Sequence, residues 1–150
     1  MEFKETLPPA HRLKTYIVED SQLIRENLIA TLEELAPVQV VGTAEDEAGA
    51  VQWLENGANV AELVIVDIFL KSGSGLGVLR AAQGMPYQGR RMVVLSNYAT
   101  LDMRRRCLEL GADKVFDKSQ DIDALILYCT RLASADDGGD GGASGHGALN

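Results

Sequence analysis

The residues best suited to chemistry in this 150-residue chain stand directly behind short apolar runs. They are Glu19, Asp20, Asp67, Ser96 and Lys118. Two unit charges about 5 Å apart repel by roughly 3 kcal/mol at an effective dielectric near 20. Three carboxylates brought together therefore need a compensating cation or a raised pKa. A hard divalent ion such as Mg²⁺, with Mn²⁺ as the alternative, suits these oxygen ligands best.

The remaining two side chains complete a site for a group that carries negative oxygens. Lys118 adds a mobile ammonium charge, and Ser96 adds a hydroxyl donor. Phosphoryl transfer needs such metal-binding carboxylates, an ammonium group and a hydroxyl donor, since it depends mostly on positioning and charge neutralisation. Asp67 stands alone at the end of the apolar run LVIVD and is the expected nucleophile. Singly, these residues are common as helix caps and turn residues, so only their joint placement is specific.

Five apolar runs of strand length must position these residues. Three of them are nearly continuous in Val, Ile or Leu, which is typical of strands buried on both faces of a parallel sheet. Amphipathic stretches between the runs predict five helices. The alternation predicts an α/β fold, a doubly wound five-stranded parallel sheet with five helices. Ligands bind such sheets at the carboxyl ends of the strands. The runs are TYIVED, VQVVGTA, LVIVDIF, MVVLSNY and DKVFDK.

Helix signals fit this alternation. Ser21 is a plausible N-cap for the first helix, and a second helix is predicted over 46–56. The third follows the glycine-rich loop 72–75, and the fourth runs from Thr100 to Gly111, a suitable C′ residue. The last helix has an apolar stripe at Ile122, Leu125, Ile126, Cys129 and Leu132.

Composition narrows the class of protein. Fourteen basic against 22 acidic residues give a net charge of −8, which argues against binding to nucleic acid through its phosphates. No apolar run approaches the roughly 20 residues of a membrane-spanning helix, and the first residues contain no apolar signal core. Cys107 and Cys129 have no closely spaced Cys or His, so free thiols in a reducing cytoplasm are expected.

The chain divides into three parts. Residues 1–12 form an N-terminal arm, and residues 13–134 hold all the predicted elements. Residues 135–150 are rich in Gly and Asp without apolar periodicity, which predicts a disordered tail.

Over 13–134 the sequence resembles the receiver domain of bacterial two-component response regulators, which has a flavodoxin-like receiver fold. The acidic pair lies in YIVED, and the phosphoacceptor aspartate lies in LVIVDIFL with the family's loop glycine at Gly75. The hydroxyl residue lies in VVLSN and the lysine in GADKVFDKS.

The resemblance implies a phosphorylation-controlled switch of a two-component system or phosphorelay. Asp67 would accept a phosphoryl group from a phosphohistidine on a sensor histidine kinase or a histidine phosphotransfer protein. Mg²⁺ would be held by Asp20, Asp67 and the backbone carbonyl of Phe69, with Glu19 acting through water.

Further implications concern the output of the switch. Ser96 and Lys118 would contact the phosphoryl oxygens and rearrange the face formed by the fourth helix, fifth strand and fifth helix. A downstream protein, or a second copy of the chain, would then bind that face. The chemistry would be limited to self-phosphorylation and autodephosphorylation, without turnover of a substrate.

Several positions depart from the family's pattern. Val115 occupies the usual aromatic position before the lysine, and the neighbouring Phe116 is expected in the core. Ser119 replaces the usual proline. Phe69 and Tyr98 stand where the family controls access of water to the phosphoryl group, and we expect their rings to slow hydrolysis.

Other functions remain open on the sequence. A metal-dependent phosphatase with an aspartyl nucleophile would need a general acid at the position of Phe69. A flavodoxin-like cofactor binder is disfavoured by the carboxylates of EDSQ, and an unphosphorylated pseudo-receiver by the complete site. A chain of this length is expected to be a stand-alone receiver if complete, and otherwise the receiver fragment of a larger DNA-binding regulator.

Two further motifs are expected to have structural roles. GSGLG at 73–77 resembles a dinucleotide-binding loop but lacks the GxGxxG spacing, so it is read as a loop beside Asp67. The cluster 104–106, three consecutive arginines, is read as a solvated helix surface, with one arginine able to face a partner because this helix borders the family's signalling face.

Overall fold

A computed structural model describes residues 11–86, 89–97 and 99–138. Its five strands form one parallel sheet in the order β2-β1-β3-β4-β5, with helices in the intervening connections. The predicted doubly wound α/β fold is therefore confirmed. The strands are β1 (Leu13–Val18), β2 (Val38–Ala44), β3 (Leu63–Val66), β4 (Arg91–Ser96) and β5 (Lys114–Asp117).

The first four of the five helices begin at a polar N-cap residue. Ser21 accepts a hydrogen bond from the backbone N–H of Ile24, and Asp46 and Thr100 cap the second and fourth helices in the same way. Gly111 has a φ of 101°, as a C′ residue requires. The helices are α1 (Gln22–Leu35), α2 (Glu47–Glu55), α3 (Gly75–Gln83), α4 (Leu101–Glu109) and α5 (Ile122–Gly138).

The sheet separates two hydrophobic clusters. Alternate residues of a strand point to opposite faces, so Tyr16 belongs to the cluster under α2, α3 and α4, while Ile17 belongs to the cluster under α1 and α5. Every residue of β3 is buried, which explains its continuous apolar sequence. The sheet is thus held between layers of helices, and polar groups reach solvent at the strand ends.

Individual core predictions also hold. Phe116 is buried, with its ring centroid 5.8 Å from that of Tyr128. Cys107 and Cys129 are free and buried, and burial raises the pKa of the Cys129 thiol to about 12. The rings of Trp53 and Tyr16 stack in the same core at a centroid distance of 3.9 Å.

The ends of the chain are only partly described. Most of the predicted arm (residues 1–10), most of the predicted tail (residues 139–150) and Tyr98 lie outside the described residues. Among the described residues, α5 continues to Gly138, past the boundary expected at residue 134. At the other end, His11 Nε2 lies 3.1 Å from Glu62 Oε2, a contact that the sequence did not suggest. None of the described helices has the length and apolar character to span a membrane.

We expect the central strand to dominate stability. Leu63 in β3 is 0% exposed, so Leu63→Ala should lower the free energy of unfolding by about 2–5 kcal/mol through lost burial and a residual cavity. Leu108 in α4 is 52% exposed, and Leu108→Ala should change it by no more than about 0.5 kcal/mol. Urea unfolding followed by circular dichroism measures both. Equal costs for the two variants would contradict this description of the core.

Candidate functional site

The candidate site lies at the carboxyl edge of the sheet, where β1 and β3 are neighbours. The strand order reverses at this pair, which is where open parallel sheets bind ligands. Val18 pairs with Val66, so the residues that follow them leave the sheet at the same level. Their backbones stay in the ladder, since Glu19 N–H donates to Ala44 O and Asp67 N–H donates to Val18 O, both at 3.0 Å. The sheet therefore fixes where these two carboxylates start.

β4 and β5 bring the remaining polar residues to the same edge. Ser96, the last residue of β4, pairs with Asp117 of β5 and is fully buried. The backbone N–H of Lys118 donates to Ser96 O at 3.0 Å, so the lysine begins directly beside the serine. The long side chain of Lys118 then crosses the edge toward β1 and β3.

Three carboxylates meet at this point. Glu19, Asp20 and Asp67 each offer an oxygen that lies within 4.8 Å of the others. Glu19 is 2% exposed and Asp67 is 8% exposed, whereas Asp20 is half-buried. Such a cluster of hard oxygen donors, open on the Asp20 side, has the chemistry to hold a divalent cation.

Lys118 supplies the positive charge that this cluster requires. Its Nζ donates to Glu19 Oε1 at 2.6 Å and to Asp67 Oδ2 at 3.0 Å. Burial lowers the pKa of Lys118, but the hydrogen bonds to the two carboxylates outweigh burial, so the net shift is upward. The ammonium form is therefore favoured at this position.

Glu19 is the most enclosed member of the cluster. Burial raises its pKa, and the charge of Asp67 raises it further, while hydrogen bonds from Lys118 and the backbone N–H of Ser21 oppose the rise. Ser21 donates to Oε2 at 3.0 Å, so both carboxylate oxygens already accept hydrogen bonds. The backbone of Glu19 is also held, because Arg25 Nη1 donates to its carbonyl at 2.7 Å.

The segment that follows β3, residues 67–74, is called the Asp67 loop below. Phe69 and Ser74 form an antiparallel bridge across it, and Gly75 N–H donates to Ile68 O at 2.9 Å. An added Cβ at Gly75 would overlap the carbonyl oxygen of Asp67, so glycine is required there. Phe69 is 50% exposed, and its backbone N–H donates to Asp67 Oδ1 with an N···O distance of 3.4 Å.

Arg104 connects the edge of the site to the neighbouring face. Its Nε donates to Ala99 O at 3.1 Å and its Nη1 donates to Val115 O at 2.9 Å. Its Nη2 lies 3.6 Å from Asp121 Oδ2. A solvated role was therefore wrong for Arg104, whereas Arg105, whose side chain is 63% exposed, has that role.

The sequence located the chemical groups better than their supports. The structure brings Glu19, Asp20, Asp67 and Lys118 together and places Ser96 at the same edge. Arg25 and Arg104 were missed as site supports. Their main partners are backbone carbonyls of other elements, for which the sequence carries no signal.

Comparison with known proteins shows which family the chain belongs to. The family model for the response regulator receiver domain matches residues 15–130. The chain is 27% identical over 129 residues to a gliding motility regulatory protein of Myxococcus xanthus, a match that covers 83% of this chain and 16% of the relative. The chain spans 16%, 30% and 36% of the length of three curated relatives.

Solved structures show the same fold. The signal receiver domain of the NarL response regulator from Mycobacterium tuberculosis superposes with a TM-score of 0.68 at 22% identity, covering 81% of this chain and 98% of that one. A Burkholderia pseudomallei response regulator with a phosphorylated aspartic acid, a calcium ion and citrate superposes with a TM-score of 0.65 at 21% identity, covering 86% and 73%. The family match covers most of the chain, and the chain belongs to the response regulator receiver domain family.

Proposed function

We propose that this receiver domain is a phosphorylation-controlled switch in which Asp67 is the phosphoacceptor. One observation carries the proposal. Asp67, at the end of the central strand β3, lies in the acidic cluster with its Oδ2 3.0 Å from the ammonium group of Lys118, and it is more exposed (8%) than Glu19 (2%), whose two oxygens both accept hydrogen bonds at 2.6 and 3.0 Å. A phosphoryl group added there would meet a cation-binding cluster on one side and a fixed positive charge on the other.

The proposed step transfers a phosphoryl group between two nucleophiles. An Asp67 carboxylate oxygen forms a bond to phosphorus as the P–N bond of a phosphohistidine breaks, and the electron pair returns to the imidazole nitrogen. The product is an acyl phosphate, which water later hydrolyses. The donor would be a sensor histidine kinase or a histidine phosphotransfer protein.

The acidic cluster would hold Mg²⁺, or Mn²⁺ in its place. Asp20 and Asp67 would be the direct carboxylate ligands, joined by the backbone carbonyl of Phe69. Glu19 would act through water, a role supported by the hydrogen bonds that its two oxygens already accept from Lys118 and Ser21. A bound Mg²⁺ would neutralise charge on the phosphoryl oxygens.

Phosphorylation would change the balance of charge at the sheet edge. A phosphoryl group adds about −1.5 to −2 charge. Lys118 and Ser96 would contact the new oxygens, which alters the bonds that Lys118 makes to Glu19 and Asp67. Both residues also belong to the backbone that leads into α4 and α5. The output face would therefore be α4, β5 and α5.

Arg104 offers a physical route from the site to this face. It donates hydrogen bonds to two backbone carbonyls. One belongs to Ala99, in the loop after Ser96, and the other to Val115, a residue of β5 three positions before Lys118. It also approaches Asp121, whose carboxylate accepts from the Asp117 N–H at 2.9 Å. A shift of Ser96 or Lys118 would change these bonds, so Arg104 would couple the movement of the loop after β4 to that of β5. This coupling would replace the one that the family makes through an aromatic residue at the position of Val115.

The proposed output is an altered protein-binding surface. A downstream protein, or a second copy of the chain, would bind the α4–β5–α5 face in the cytoplasm. The net charge of −8 favours protein partners over nucleic acid. We propose a switch rather than a turnover phosphatase, since Phe69 cannot donate the proton that a leaving group needs.

The phosphoacceptor is tested by labelling with acetyl phosphate. The native chain should gain the mass of one phosphoryl group when Mg²⁺ is present and none when it is chelated. Asp67→Asn should gain nothing, because the amide is not a nucleophile. Intact-mass spectrometry measures the gain. Labelling of both proteins, or of neither, would refute the assignment.

The exposed ring of Phe69 should slow loss of the phosphoryl group. Phe69→Asn should dephosphorylate roughly threefold to tenfold faster, equivalent to about 1 kcal/mol of barrier, because a small polar side chain admits water. Tyr98→Ala is the companion variant. Phosphate release after removal of the donor measures the rate, and unchanged rates in both variants would contradict the role of these rings.

Arg104 should affect output rather than acceptance. Arg104→Ala should be labelled at a rate within about twofold of the native chain, but phosphorylation should alter hydrogen exchange in α4, β5 and α5 far less than in the native protein. The matched control is Arg105→Ala, which removes an exposed arginine from the same helix. If the two variants respond alike, Arg104 is not the coupling residue.

A further inference from the structure

Glu47, the first residue of α2, holds the Asp67 loop from outside the site. Its side-chain Oε1 accepts a hydrogen bond from the backbone N–H of Ser74 at 2.9 Å. Its own backbone N–H donates to Ser72 O at 3.2 Å. Two bonds of opposite direction therefore tie α2 to the last residues of the Asp67 loop.

The glycines of GSGLG make room for this carboxylate. An added Cβ at Gly77 would overlap the carboxylate of Glu47, and one at Gly73 would overlap its side chain. Gly73 also has a φ of 82°, a conformation that glycine adopts without steric cost. The start of α3 carries a partial positive charge that stabilises a carboxylate beside it. Glu47 thus explains the first and last glycines of the motif, and the backbone of Asp67 explains Gly75.

Ser74 transmits the position of Glu47 to the phosphoacceptor. It forms the bridge with Phe69, whose carbonyl is a proposed Mg²⁺ ligand, and its hydroxyl caps α3 by accepting from Leu76 N–H at 3.0 Å. The next residue, Gly75, packs against the backbone of Asp67 so closely that no side chain fits. A displacement of Ser74 would therefore move the backbone of both site residues.

We infer that Glu47 is a positioning residue for phosphoryl acceptance: seated between Gly73 and Gly77, it holds Ser74 and thereby sets the positions of Asp67 and the Phe69 carbonyl. The inference rests on the proposed role of Asp67 as phosphoacceptor. Glu47 is not a member of the acidic cluster of Glu19, Asp20 and Asp67, and it would act through Ser74.

Variants at Glu47 test the hydrogen bond. Glu47→Ala should lower the rate of Mg²⁺-dependent labelling by acetyl phosphate between about tenfold and a hundredfold, because small misplacements of reacting groups are costly. Glu47→Gln keeps an oxygen acceptor for Ser74 and should stay within about threefold of the native rate. Glu55→Ala, an exposed glutamate in the last turn of the same helix, is the matched control and should label at the native rate.

A double-mutant cycle tests whether Gly77 makes room for the carboxylate of Glu47. Gly77→Ala should slow labelling about as much as Glu47→Ala, since the new methyl group displaces the carboxylate. In the Glu47→Ala background the clash is absent, so Gly77→Ala should cost nothing further and should raise the melting temperature through its higher helix propensity. Gly84→Ala, where an added Cβ makes only ordinary contact, is the glycine control.

The outcomes separate the two proposals. Mg²⁺ affinity from calorimetry should fall in Glu47→Ala and recover in Glu47→Gln, which a general loss of stability would not produce. The role of Glu47 would be overturned if Glu47→Ala were labelled at the native rate, or if Gly77→Ala slowed labelling equally in both backgrounds. Either result would leave Asp67 as phosphoacceptor. Absence of labelling in the native chain would overturn both.

Discussion

The ammonium group of Lys118 makes the acidic edge of this sheet compatible with folding. Glu19 and Asp67 are both nearly buried, and without a cation between them their charges would repel by about 3 kcal/mol at a separation near 5 Å. Lys118 lies 2.6 and 3.0 Å from their oxygens, although it is separated from them by 99 and 51 positions in the chain. The parallel sheet makes this contact possible, because it brings the carboxyl ends of β1, β3 and β5 to one edge.

The backbone around the site is held by contacts that carry no chemistry of their own. Arg25 fixes the carbonyl of Glu19, Glu47 fixes Ser74, and Arg104 bridges the segments after β4 and before Lys118. Each joins a helix to a loop or a strand through a backbone group. A site that depends on position needs such support, since the sheet orients only the first atoms of each side chain.

Features of the structure could be predicted where a sequence pattern has few structural explanations. The apolar run before Asp67 forces a buried strand, and a carboxylate directly after it must lie at the sheet edge, so both the fold and Asp67 followed from local sequence. Arg104 could not be predicted, because three consecutive arginines on a helix differ only in direction, and packing decides which one turns inward. The role of Glu47 could not be predicted either, because an acidic residue in the first turn of a helix is common without any tertiary partner.

The sequence by itself determined the order of elements, the strand ends at which polar residues stand, and the glycine spacing of 73–77, because these depend on local hydrophobicity and backbone freedom. Tertiary structure alone decided that Lys118 pairs with Glu19 as well as Asp67, and that Glu47 fills the space beside Gly73 and Gly77. The physical reason is range. Local preferences act over a few residues, whereas the side-chain hydrogen bonds of Glu47 and Lys118 join residues 27 to 99 positions apart, and only the assembled sheet and its packed helices bring them within hydrogen-bond distance.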